Sequence, residues 1–102
     1  MKISEKINTG KVTVSFELFP PKAGAAFEPV MSAAEKIASL KPDFMSVTYG
    51  AGGGTSSNTV KIASAVENDF GVTAIAHLTC VSSTKEHVQS VLEEIKSNNI
   101  QN

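Results

Sequence analysis

The feature that most constrains this chain is a repeat of pattern rather than of residues. Three short runs rich in β-branched and aromatic side chains alternate with three segments of helical periodicity. The runs are Val12 to Phe19 ("VTVSFELF"), Phe44 to Tyr49 ("FMSVTY") and Thr73 to Cys80 ("TAIAHLTC"). Their centres fall about thirty residues apart, the size of a strand–helix unit. Strand–helix–strand order repeated in this way predicts parallel strands joined by helical crossovers. The fold class is therefore α/β.

The helical segments carry their own signals. From about Ala25 to Leu40, the residues Phe27, Val30, Met31, Ala34, Ile37 and Ala38 recur at three- and four-residue steps and paint one face. Pro42 marks the exit. A second helix is expected to start near Thr55 to Ser57 and to bury Val60, Ala63, Val66 and Phe70. Gly71 suits the left-handed position just past its end. Ser83 to Glu86 ("STKE") reads as a capping box opening a third helix, with Val88, Val91, Leu92 and Ile95 facing inward.

Length then limits the architecture. A closed eight-unit barrel takes about 250 residues, and 102 residues hold only three units. The last residues, "SNNIQN", stop where a fourth strand is expected. Residues 1–102 therefore read as the N-terminal part of a larger single domain. A self-standing mini-domain would leave its third strand as an open edge.

Charge and composition narrow the function. The net charge is −1, and lysines are scattered, which argues against a nucleic-acid surface. No apolar run reaches the roughly 18 to 20 residues that span a bilayer. The polar start "MKISEKINTGK" lacks the apolar stretch of a signal peptide, so a cytoplasmic location is expected. A single cysteine, Cys80, cannot form an internal disulfide and is expected to pack as a small hydrophobe. No metal site is expected, since His87 stands ten residues from His77 without a carboxylate at ligand spacing.

Period-two alternation assigns faces within each run. Val12, Val14, Phe16 and Leu18 are expected to pack under the helices, as are Met45 and Val47, and Ala74, Ala76 and Leu78. Glu17, Thr48 and His77 then share the opposite face, each near the C-terminal end of its strand. In α/β barrels and open sheets that end is where ligands bind. Pro20 and Pro21 stop the first strand just beyond Glu17. A carboxylate held in such an apolar rim costs several kcal/mol unless it is paired or protonated. It is either a structural ion pair or an acid able to donate a proton near neutral pH. His77 is either a satisfied core residue or a hydrogen-bonding partner for a cofactor. The loop Gly50 to Gly54 is neither a dinucleotide fingerprint nor a P-loop. It suits close approach of backbone N–H groups to a phosphate or cofactor.

Three stretches, "VSFELFPPK", "SVTYGAGGGTSSNT" and "AHLTC", occur in this order at the ends of successive strands. Together they resemble the N-terminal part of the 5,10-methylenetetrahydrofolate reductase family, flavoproteins built on a (β/α)8 barrel. The resemblance spans nearly the whole chain and covers three of the family's eight units. It implies FAD as cofactor, NADH or NADPH as co-substrate, and reduction of 5,10-methylenetetrahydrofolate to 5-methyltetrahydrofolate in one-carbon metabolism. It also implies homo-oligomeric assembly of the full-length protein. Glu17 matches the family's catalytic glutamate, which protonates N10 of the folate. Thr48 matches a position lining the nicotinamide site. Tyr49, Ala51 and His77 match positions contacting FAD. An aspartate-bearing stretch after the fourth strand and most contacts to the adenine half of FAD would lie beyond Asn102, so the isolated chain is expected to be inactive. A fragment that only binds the complementary part of the barrel, and an unrelated nucleotide-binding module, are the alternatives.

Overall fold

A computed structural model describes residues 1–22, 24–49 and 56–102. In chain order they form helix α1 (Ile3–Ile7), strand β1 (Ser15–Leu18), helix α2 (Glu28–Ala38), strand β2 (Phe44–Val47), helix α3 (Ser56–Ser64), strand β3 (Ala74–Ala76) and helix α4 (Lys85–Ser97). A π-helical segment, Ala65–Asp69, continues α3. The three strands make one parallel sheet in the order β1-β2-β3. The expected alternation of strand and helix is thus present, and the chain is α/β.

The strands are shorter than the apolar runs that announce them. Ladder bonds nevertheless run past their ends. Before β1 and β2, Asp43 N–H donates to the Val14 carbonyl (2.8 Å), and the Asp43 side chain answers, its Oδ2 accepting from Val14 N–H (2.8 Å). At the other end, Thr48 N–H donates to the Leu18 carbonyl (2.9 Å) and His77 N–H to the Val47 carbonyl (3.0 Å).

The core lies between the sheet and the helices. Met45, Val47 and Ala74 are fully buried on the helix side, as the alternation predicts. Ala34 and Ala38 are the buried residues of α2, small enough to let its backbone approach the sheet. Helix α3 buries more than the expected stripe. Val60, Ala63 and Val66 are inside, but so are Thr59 and Ile62, because this helix meets β2, β3 and α4 together. Phe70 is only partly buried against the core.

Several expectations need correction. Val12, Val14 and Phe16 do not pack under helices. Only Leu18 of that series is buried, because β1 is an edge strand and α2 covers only its end. Leu92 is exposed on α4, whereas Val91 enters the core and Ile95 packs against it. Cys80 is exposed just past β3 rather than packed. The cap of α4 is Thr84, whose hydroxyl accepts from His87 N–H (3.1 Å). Ser83, one residue earlier, turns its hydroxyl back to the Val81 carbonyl (3.4 Å). Helix α1 was not expected from its polar sequence. Its start is held by Glu5, which accepts from Lys2 N–H (3.0 Å).

The junction into β3 is built tightly. Phe70 N–H donates to the Ala65 carbonyl (2.9 Å), a five-residue step that defines the π turn. Gly71 follows at φ +68°, the left-handed value expected of it. From the same turn, Glu67 Oε2 accepts from Ala74 N–H (2.7 Å) at the first residue of β3.

The chain end lies along β3. Ala76 N–H donates to the Asn102 carbonyl (2.9 Å). The Asn102 side chain accepts from Ile3 N–H (2.8 Å) and donates to the Met1 carbonyl (3.0 Å), tying α1 to the same corner. Among the described residues no helix is long and apolar enough to cross a membrane.

Candidate functional site

Register explains why three residues far apart in sequence meet. Glu17 pairs with Ser46, and Ser46 with Ile75, so these three stand at one level of the sheet. Thr48 and His77 lie two residues further along their strands, on the same face by period-two alternation. Their backbones are fixed there by the ladder bonds to Leu18 and Val47.

The Glu17 carboxylate reaches up to that upper level. Thr48 Oγ1 donates to Glu17 Oε1 at 2.6 Å. His77 Nδ1 lies 3.7 Å from the same oxygen. The first contact is at the short end for an O–H···O bond, in the range of charge-assisted pairs. The second is an ion pair only when the imidazole is protonated.

Among the described residues, the apolar enclosure expected of Glu17 is absent. Its side chain is 46% exposed and that of His77 43%. Helices α2 and α3 pack on the face that buries Met45, Val47 and Ala74, and among the described residues the Glu17 and His77 side chains on the opposite face stay nearly half exposed. An ion pair this open contributes roughly 0–1 kcal/mol at most. Stability therefore does not explain the arrangement, whereas a reachable carboxylate beside a hydroxyl and an imidazole can bind or exchange protons.

Tyr49, the next residue after Thr48, is 7% exposed, and its phenolic oxygen is buried with no hydrogen-bond partner among the described residues. A buried hydroxyl without a partner costs about 1–3 kcal/mol. It is the kind of atom that a bound group satisfies. Ala51 and the glycine loop Gly50 to Gly54 lie outside the described residues.

One supporting residue escaped the sequence reading. Thr59, buried near the start of α3, donates through Oγ1 to the Thr48 carbonyl (3.0 Å). The backbone of Thr48 is thus gripped on both sides. The available signal was a threonine on the inward side of a helix just after the strand, which periodicity alone assigns to no role.

Comparison with known proteins agrees with this geometry. A family model described as methylenetetrahydrofolate reductase matches residues 2–102. The chain is 39% identical over 106 residues to methylenetetrahydrofolate reductase (NADH) 1 of Arabidopsis thaliana, an alignment covering 100% of this chain and 18% of that protein. It is 36% identical over 85 residues to 5,10-methylenetetrahydrofolate reductase of Pectobacterium carotovorum, covering 83% and 28%. With the Escherichia coli protein of that name it shares 34% over 91 residues, covering 89% and 31%. The chain spans less than a third of the length of these curated relatives and aligns with their N-terminal part. Sequence, sheet order and family match converge: this chain belongs to the methylenetetrahydrofolate reductase family.

Proposed function

We propose that residues 1–102 form the first three strand–helix units of a flavin-dependent (β/α)8 barrel. That barrel reduces 5,10-methylenetetrahydrofolate to 5-methyltetrahydrofolate with NADH or NADPH, and Glu17 is its general acid. The observation that carries this reading is the meeting of Glu17, Thr48 and His77 at one end of a parallel sheet, in a chain of this family. The plant relatives carry NADH in their names, which favours NADH as the reductant.

The acid has a defined task. Protonation of N10 opens the five-membered ring of the folate to an iminium ion at N5, a better hydride acceptor. The proton comes from the Glu17 carboxyl, directly or through water. A proton held on a carboxyl near neutral pH requires burial, since desolvation favours the neutral form. Closure of the barrel over the inner face supplies that burial; the isolated chain leaves the side chain half in solvent.

The residues present suit a flavin. The Tyr49 hydroxyl, which has no partner among the described residues, and the exposed His77 ring are the groups that would hold it, with Ala51 two residues after Tyr49 in sequence. FAD, when bound, supplies hydride transfer between nicotinamide and folate. Thr48 faces the same rim and lines the nicotinamide position.

The test is Glu17→Gln in the complete enzyme. Flavin reduction by NAD(P)H should persist, while folate reduction falls by about 10²–10⁴-fold, the usual contribution of a general acid. Equal loss in both half-reactions would contradict the acid role.

A second reading is a non-catalytic piece that binds the complementary part of the barrel. It is favoured by the bond from Ala76 N–H to the Asn102 carbonyl, which opens a further ladder on the β3 edge, and by the apolar surface of Leu78, Leu92 and Ile95 beside it. Mixing this chain with the remaining residues of a relative should then yield a yellow, active complex. A colourless mixture would exclude it.

A further inference from the structure

We infer that Thr48 is the positioning residue for Glu17: it holds Oε1 as an acceptor, so that Oε2 carries and delivers the proton. This rests on the reading of Glu17 as the acid. Both neighbours of the carboxyl address the same oxygen, Thr48 Oγ1 at 2.6 Å and His77 Nδ1 at 3.7 Å, both to Oε1. A threonine hydroxyl has one hydrogen to donate. Spent on Oε1, it leaves the carboxyl proton to Oε2.

The donor is stiff where the acid is not. Glutamate has three rotatable side-chain bonds, and nearly half of the Glu17 side chain is in solvent. Threonine is β-branched and restricted at χ1. Its backbone is pinned from two sides: Thr48 N–H donates to the Leu18 carbonyl on β1, and the Thr48 carbonyl accepts from Thr59 Oγ1 on α3. The rigid partner therefore sets the position of the flexible one. Correct placement of a reacting proton governs the chemical step rather than substrate affinity.

The experiment measures the folate half-reaction of the complete enzyme in Thr48→Val, Thr48→Ala and Thr48→Ser, with Glu17→Gln as reference. Loss of a hydrogen bond to a charged or reacting group corresponds to about a 10–100-fold fall in rate. Val and Ala should show that fall in kcat with KM for the folate little changed, and Ser should restore the rate to within about threefold. Ala serves if Val fails to fold. Full rate in Val or Ala, or a Ser variant as slow as they are, overturns the positioning role while leaving the acid intact. Full rate in Glu17→Gln overturns the acid reading, and the inference with it.

Discussion

The centre of the sheet and its flanks are made from similar sequence but behave differently. Strand β2 has a strand on each side and α3 above it, and Met45 and Val47 are wholly buried. The run that holds β1 is also rich in apolar residues, yet Val12 is 91% exposed and Val14 and Phe16 are exposed too. On the other flank, Leu92 and Val81 are exposed beside β3 and α4. An apolar pattern says which residues can be buried. Whether they are depends on neighbours supplied by other parts of a fold.

That contrast can be broken by substitution, starting where the effect is largest. Met45→Ala should cost about 2–5 kcal/mol, the range for emptying a buried site of this size. A chemical denaturation midpoint that hardly moves would show the centre to be loosely packed. Gly71→Ala comes next, at about 1–2 kcal/mol from the left-handed backbone alone. A Cβ there meets nothing within 4 Å, so no steric clash adds to it. Thr84→Ala should cost about 1 kcal/mol as loss of a helix cap, whereas Ser83→Ala should be nearly neutral. Equal effects would return the cap of α4 to Ser83. Smallest of all is Val12→Thr on the flank, within about 0.5 kcal/mol of no change. A larger loss would mean that the run leading into β1 is covered after all.

Much of this was legible in the sequence, and the failures have physical causes. Element order, the inward series of β2 and the role of Gly71 followed from periodicity and backbone sterics. Glu17, Thr48 and His77 could be placed together because parallel strands with period-two alternation leave little freedom in which face a residue takes. The edges of elements were less legible. Thr84 and Ser83 are both good caps, and only the tertiary path of the chain selects one. The π segment has no local signature in Ala65–Asp69, and α1 is too short for an apolar stripe. The openness around Glu17 escaped because alternation reports the face of a residue and says nothing of what lies opposite.

The central claim is that Glu17 and Thr48 act as one unit at the rim. A double-mutant cycle on the folate half-reaction of the complete enzyme tests it directly. If Thr48 acts only through the carboxyl, Thr48→Val added to Glu17→Gln slows the reaction no further than Glu17→Gln alone. If the two losses multiply as independent effects, the hydroxyl and the carboxyl serve separate purposes and the account of the site is wrong.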